Sequence, residues 1–206
     1  MKSQIHLIRH GITEGNQRRL YYGASDIPLA DEGVAELKKL VKEEIYPQAD
    51  EGDFYTTGLK RTEQTLALIY GDREHEVIPE LKEMGFGDFE MKSYEDLKEV
   101  PEYVEWISDK SGSAASPGGE SIAGFSMRIK EGLRILHGKH QLKELSVRHS
   151  GGDAVSVMVC HGGTIATIMD VCFPGQREHF FKWIPDPGHG YTLTLEKSEI
   201  VRYEAF

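Results

Sequence analysis

The sequence predicts a three-layer α/β domain with a largely parallel central sheet, on three observations. Short apolar runs of strand character alternate with longer stretches of helical period, the order that builds a sheet covered by helices. The run Ala154-Val155-Ser156-Val157-Met158-Val159-Cys160 is nearly continuously apolar, as a strand buried on both faces requires. The chain has 206 residues, 39% of them hydrophobic, enough for one sizeable core, and it shows no repeat, low-complexity tract or linker. One domain over 1–206 is expected.

The elements follow in order. Ile5-His6-Leu7-Ile8 reads as a short buried strand that Gly11 and Gly15 break into a loop. From Ala30 onward Val34, Leu37, Leu40, Val41 and Ile45 recur at helical spacing behind a cap at Asp31, giving an amphipathic helix that ends before Pro47. A second strand is expected at 53–57, then a helix with Leu59, Thr62, Leu66 and Ile69 on one face, then a third strand at 77–81. The middle, roughly 85–120, is punctuated by Gly85, Gly87, Pro101 and a Ser/Ala/Gly stretch over 111–119, and reads as an irregular excursion over the site. A long helix is expected over 121–142, a polar turn over 146–153, the strand 154–160, and a helix from Gly162 through Cys172. Tyr191–Leu195 and Ile200–Tyr203 resemble a closing hairpin.

The formal charge of −10 argues against a broad nucleic-acid or anionic-membrane surface, either of which needs clustered Lys and Arg. Any positive potential is therefore expected to be local. Cys160 and Cys172 are too few for a disulfide framework and lie in apolar stretches. The opening residues lack the apolar region of a secretory signal, and no apolar run is long enough to span a bilayer, so the cytoplasm is the expected location.

Two places repeat one design, in which an apolar strand ends, a histidine follows, and glycine opens the next turn. They are Leu7-Ile8-Arg9-His10-Gly11 and Met158-Val159-Cys160-His161-Gly162-Gly163. Strands of a parallel sheet share one carboxyl edge, so neighbouring strands would bring His10 and His161 to one crevice. The glycine turns and the helix start after Gly162 offer backbone N–H groups that favour an anion.

Arg9-His10-Gly11-Ile12-Thr13-Glu14-Gly15-Asn16 resembles the Arg-His-Gly-x-Thr-x-x-Asn signature of the histidine phosphatase superfamily, which includes cofactor-dependent phosphoglycerate mutases and many small-molecule phosphatases. Tyr22–Leu29, Leu59-Lys60-Arg61-Thr62-Glu63-Gln64-Thr65, Leu81–Gly87, Pro117-Gly118-Gly119-Glu120-Ser121 and Val159–Gly163 are similar to further family segments, in the family's order and over most of the chain. The resemblance implies a phosphoglycerate mutase-like fold in which His10 attacks phosphorus, Glu83 protonates the leaving oxygen, and Arg9, Arg61 and His161 hold the phosphoryl group. It also implies that Asn16, Tyr22, Gly23 and Gly162 line the substrate pocket.

The side chains suit these roles. A neutral imidazole is a competent nucleophile near neutral pH, and a phosphohistidine splits hydrolysis into two displacements. Arginine presents fixed, permanently charged donors to phosphate oxygens. Phosphoryl transfer needs chiefly positioning and charge stabilisation, so neither a metal nor a cofactor is expected. Glu83 must be protonated to act as acid, which requires burial or nearby negative charge.

Two positions depart from the family pattern. Thr57-Gly58 stands where Ser-Pro or Thr-Pro is usual, which would loosen the entry to Arg61, and Glu90-Met91 stands where many relatives carry Glu-Gly. His6, His75, His137, His140, His149 and His179 read as structural, and a metal pair at His137 and His140 lacks a third ligand. Strand alternation turns Cys160 away from the pocket. His189, in Pro187-Gly188-His189-Gly190, either rims the site or shapes a turn.

Phosphatase and mutase use the same phosphohistidine. Compactness, and Gly163 where mutases commonly have Asn, favour a phosphatase acting on a small-molecule phosphate ester. Alpha-ribazole phosphate, a sugar phosphate and a fructose bisphosphate all stay open as substrates, and oligomeric state is not specified. The rival from another class is a catalytically idle phosphate-binding interaction module, whose mark would be loss of a reacting residue; none is missing.

Overall fold

The computed structural model describes residues 2–206. In chain order the elements are β1 (Ser3–Arg9), α1 (Glu14–Gln17), β2 (Leu20–Tyr21), α2 (Asp31–Lys42), β3 (Asp53–Thr56), α3 (Lys60–Tyr70) and β4 (His75–Val77). There follow β5 (Lys92–Ser93), α4 (Tyr94–Leu97), α5 (Pro101–Ser108), α6 (Ile122–Val147), β6 (Ala154–Cys160), α7 (Gly162–Cys172), β7 (Gly190–Glu196) and β8 (Glu199–Ala205). Short 3-10 turns stand at Pro79–Leu81, Gly87–Phe89 and Phe180–Trp183.

Six strands form the central sheet in the order β4-β3-β6-β1-β7-β8. The pairs β4/β3, β3/β6 and β6/β1 are parallel, and the closing hairpin adds β7 and β8 antiparallel. Alternation along the strands divides the core. Leu7, Met158 and Cys160 pack on one side with Ile129 and Leu136 of α6 and Ile165 and Met169 of α7. Ile8, Val157 and Val159 face the other side, with Phe54 and with Leu66 of α3. The result is a helix–sheet–helix sandwich whose middle strands are buried on both faces, which is why β6 reads as an unbroken apolar run.

Several boundaries differ from the sequence reading. Asp31 does not cap α2; Ala30 holds that position without a side-chain bond, and Asp31 and Glu32 lie in the first turn, where the helix dipole favours acids. That helix ends at Lys42, with Glu44 left-handed at φ 56°, so Ile45 lies outside it. The strand expected at 77–81 comes earlier, over His75–Val77, because Pro79 has no N–H for a ladder and starts a 3-10 turn instead. Helix α6 extends to Val147, capped by Ser121, whose hydroxyl accepts from the Gly124 amide. Its added turns are anchored by buried Glu144, which accepts from the Ser3 hydroxyl at 2.6 Å. The final hairpin turns through Lys197 and Ser198, both left-handed at φ 51° and 64°, as a two-residue turn between antiparallel strands demands.

The excursion over 85–120 has more order than its punctuation suggests. Strands β2 and β5 pair across it, and Phe89, Leu97 and Tyr103 form a small core of their own against Tyr21 and Trp106. Among the described residues no helix is long and apolar enough to cross a membrane.

Candidate active site

Parallel pairing sets Arg9 opposite Cys160, so the chain leaves β1 and β6 at the same sheet edge and His10 and His161 follow side by side. Their ring centroids are 5.3 Å apart. The His10 amide donates to the Cys160 carbonyl at 3.0 Å, which carries the ladder one step past the strand and fixes the histidine's backbone.

The His10 ring is buried, and its Nδ1 lies 2.7 Å from the Gly11 carbonyl. A carbonyl only accepts, so Nδ1 carries the proton and the lone pair sits on Nε2. Burial, then the Arg61 charge, then Arg9, hold the imidazole pKa well below 6.5, against the opposing effect of the Gly11 bond. The ring is therefore neutral at neutral pH.

Arg61, the second residue of α3, is fully buried. Its Nη1 donates to the Ser25 carbonyl at 2.8 Å, Nη2 to the Gly23 carbonyl at 2.8 Å, and Nε to His161 Nδ1 at 3.3 Å. The guanidinium lies 5.1 Å from the centroid of the Tyr22 ring. Three of the five donors of an arginine are thus used and two remain. Because His161 Nδ1 accepts from Arg61, its Nε2 carries the proton and donates to Thr57 Oγ1 at 2.9 Å. His161 is neutral for the same reasons as His10, with burial first and Arg61 second. The Thr57-Gly58 entry is not loose: Thr57 is buried and bonded to His161, and Gly58 takes the left-handed φ of 77° that a proline in its place could not adopt.

Arg9 donates through Nη1 to the Pro185 carbonyl at 2.8 Å, while its buried Nε has no partner among the described residues. Thr13 and Asn16 cap α1 reciprocally, and the Thr13 hydroxyl donates to the Tyr22 hydroxyl at 2.7 Å. Glu83 takes the Gly163 amide on Oε2 at 2.9 Å and the Met84 amide on Oε1 at 3.0 Å. Burial raises its carboxyl pKa above the ordinary 4.5, against those two amide bonds and the charges of Arg61 and Arg9.

Arg9, His10, Asn16, Tyr22, Arg61, Glu83 and Gly162 all line one cavity of about 1110 Å³. Gly23 and His161 stand behind its wall. A Cβ at Gly23 would lie 1.7 Å from the Met84 carbonyl oxygen, so only glycine lets this loop cross the Glu83 segment. His161 backs His10 and Arg61 with both ring nitrogens engaged. His189 shapes a turn: its carbonyl accepts from the Arg9 amide at 2.9 Å and its Nδ1 donates to the Phe206 carbonyl at 3.0 Å. His137 Nε2 donates to the Ser198 carbonyl, and His140 bonds Ser3 and Ser156 within the fold. Cys160 is in the core, where burial pushes its thiol far up.

The parts played by four residues were not evident from the sequence. Thr57 orients His161. Glu90 accepts from the amides of Gly23, Ala24, Ser25 and Phe86, tying the loop that supplies carbonyls to Arg61. Arg128 and Glu120 enclose the segment that carries Glu83. Thr57 and Glu90 had a signal in standing next to residues unusual for the pattern, and Glu120 in lying within a family-like segment; Arg128 had none.

The sequence matches the histidine phosphatase superfamily (branch 1) over residues 5–203. It is 31% identical over 153 residues to an adenosylcobalamin/alpha-ribazole phosphatase of Escherichia coli (strain K12), covering 72% of this chain and 74% of that protein. The structure resembles the crystal structure of the alpha-ribazole phosphatase from Shigella flexneri with a TM-score of 0.74 at 25% identity, covering 97% of this chain and 94% of that one. A phosphoglycerate mutase from Thermus thermophilus shares the fold, with a TM-score of 0.65 at 24% identity over 98% of this chain and 99% of that one.

Proposed function

The chain belongs to branch 1 of the histidine phosphatase superfamily, and from that membership we propose that it is a phosphatase that hydrolyses a small-molecule phosphate monoester through a phosphohistidine on His10. The observation that carries this reading is the state of His10: a neutral ring whose Nδ1 is held by the Gly11 carbonyl and whose Nε2 has no partner among the described residues, on the wall of a cavity that also holds Arg9 and Arg61.

In the first step His10 Nε2 forms a bond to phosphorus as the ester P–O bond breaks, and Glu83 gives its proton to the departing oxygen. The positive charge that develops on the ring is met by the Nδ1–H bond to Gly11, and the phosphoryl oxygens by the free donors of Arg61 and Arg9. In the second step the Glu83 carboxylate takes a proton from water, the water oxygen attacks phosphorus, the N–P bond breaks, and His10 recovers its lone pair. His161 acts by holding Arg61 Nε, and Asn16, Tyr22, Gly23 and Gly162 shape the phosphoryl end.

Hydrolysis is favoured over mutase transfer by the rest of the cavity lining. Phe86, Trp106, Phe125 and Ile184 belong to it, and besides Arg9, Arg61 and Glu83 its charged groups are Lys130, Asp109 and Asp170. A phosphoglycerate carries a second anion, and one lysine outnumbered by two aspartates in the same lining is no site for it. Alpha-ribazole 5′-phosphate, named in similar proteins, is the first substrate to test. The free thiols of Cys160 and Cys172 fit a reducing compartment and make the cytoplasm the proposed location.

The test uses p-nitrophenyl phosphate with EDTA present, then a panel of phosphorylated metabolites that includes alpha-ribazole 5′-phosphate and 3-phosphoglycerate. Turnover is expected without added metal, together with rapid acid-labile labelling from a phosphorylated substrate. His10→Ala should fold and lose both. Labelling that persists in this variant would place the nucleophile elsewhere.

A further inference from the structure

Glu83 lies in a segment with little regular structure of its own. The Pro79–Leu81 turn ends at Lys82, whose φ of −62° and ψ of 156° are extended. Two neighbouring elements hold this segment.

The first is the start of α7. The Gly163 amide donates to Glu83 Oε2 at 2.9 Å. A Cβ built on Gly163 would lie 2.6 Å from Oε1, 3.2 Å from Cδ and 3.3 Å from Oε2, so the carboxyl group rests directly on the glycine. Gly163 is helical with no left-handed φ, and glycine is a poorer helix former than alanine. Nothing in the helix itself calls for glycine there; the carboxyl group does.

The second is the Glu120–Arg128 pair. From α6, Arg128 donates through Nη1 to the carbonyls of Glu80 at 2.8 Å and Lys82 at 2.9 Å, and through Nη2 to the carbonyl of Glu83 at 3.2 Å. It is held by both carboxylate oxygens of Glu120, at 2.8 and 2.6 Å, and Glu120 Oε2 also accepts the Gly85 amide at 2.9 Å. One ion pair thus grips the backbone before, at and after Glu83, without touching the cavity's reacting groups.

We propose that Gly163 and the Glu120–Arg128 pair are positioning elements for the leaving-group proton, one fixing the Glu83 carboxyl group and the other its backbone. The proposal rests on the reading of Glu83 as the acid. Proton delivery depends on placement to a fraction of an ångström, and a misplacement of about 1 Å can cost about 100-fold in rate. Its effect grows as the leaving group becomes more basic, because p-nitrophenolate departs without a proton and an alkoxide does not.

The experiment compares Gly163→Ala, Arg128→Gln and Glu83→Gln with the parent protein on p-nitrophenyl phosphate and on an alkyl phosphate such as ribose 5-phosphate. Glu83→Gln should lower alkyl phosphate turnover by about 10²- to 10⁴-fold. Gly163→Ala and Arg128→Gln should lower kcat on the alkyl phosphate by about 10- to 100-fold with KM within about 3-fold, and should lower p-nitrophenyl phosphate turnover much less. The alkaline limb of the pH profile should move in both variants. Gly163→Ala should still fold, since its Cβ meets only the far end of the Glu83 side chain; if Arg128→Gln does not fold, this variant decides alone. Equal losses on both substrates, or no loss, would overturn the proposal while leaving the Glu83 reading in place. A Glu83→Gln protein without leaving-group dependence would overturn both.

Discussion

On the proposed mechanism His10, beside two guanidinium groups, must still offer a lone pair to phosphorus, and its bond to the Gly11 carbonyl gives it one. The carbonyl fixes the proton on Nδ1, while burial and the arginine charges keep a second proton off Nε2. The pH dependence follows from the two opposed shifts. As the proposed nucleophile, His10 is in its reactive neutral form above its lowered pKa, so it sets no limit near neutrality. Glu83, as the proposed acid, is protonated below its raised pKa, so the rate on alkyl phosphates should be high in mild acid and fall as pH rises through that value. A kcat/KM profile on an alkyl phosphate checks this, and a rate that kept climbing through neutrality would exclude Glu83 as the acid. That His10, Arg9, Arg61 and Glu83 meet at one cavity was readable because the signals are local, in strand ends, glycine turns and a known order of segments. Thr57 and Arg128 were not, because what they do lies in contacts 104 and 45 positions away in the chain.

At the scale of elements, the strands and helices with a strong period were legible nearly to the residue: β6 and α7 have the bounds expected of them. The two-residue strands β2 and β5 were not, since two residues carry no period and their pairing is set by the aromatic cluster they cover. The loop at Gly23–Ser25 is a similar case. It has no regular structure, yet it supplies the carbonyls that hold Arg61, and Glu90 is its fastener. Burial acts to raise the Glu90 pKa, but the Ser25 hydroxyl and the amides of Phe86, Ala24 and Ser25 outweigh it and hold the carboxyl group below 4.5. The stabilisation from Glu90 is therefore complete above an unfolded value of about 4.5 and is lost as pH falls through the lower folded value. Glu90→Ala leaves several amides without their acceptor and is expected to cost about 1–3 kcal/mol. Chemical denaturation at neutral pH measures that loss, and repeating it in acid should show the gap between the two proteins closing. The released loop should also raise KM, because Arg61 loses its frame.

At the scale of the whole molecule, two arginines stand in one cavity of an acidic protein. Its formal charge is −10; of the two arginines of the cavity, Arg61 is fully buried and Arg9 half-buried, where bulk charge counts least. Beyond them the cavity is walled by side chains from the 85–120 excursion, from α6 and from the segment after α7, and those walls are mainly aromatic and aliphatic, with Asp109, Ser126 and Lys130 among them. Tyr21, Phe86 and Trp106 meet there with ring centroids 5.4 to 6.1 Å apart. Such a cavity should select a substrate with a single dianionic phosphate on an uncharged body with apolar surface. Phenyl and naphthyl phosphates test the point, since their leaving groups are of similar acidity and differ in the area they can bury. The added ring should raise kcat/KM by roughly 10-fold or more, at about 25 cal/mol per Å² of apolar surface removed from water. Trp106→Ala should erase most of that preference while leaving phenyl phosphate within about 3-fold, because the phosphoryl end is untouched. A bisphosphate or 3-phosphoglycerate should be a poor substrate, its second anion meeting Asp109 and Asp170 with Lys130 alone to offset them. Efficient turnover of such an anionic leaving group, or a naphthyl preference that survives in Trp106→Ala, would mean that the apolar wall does not contact the substrate.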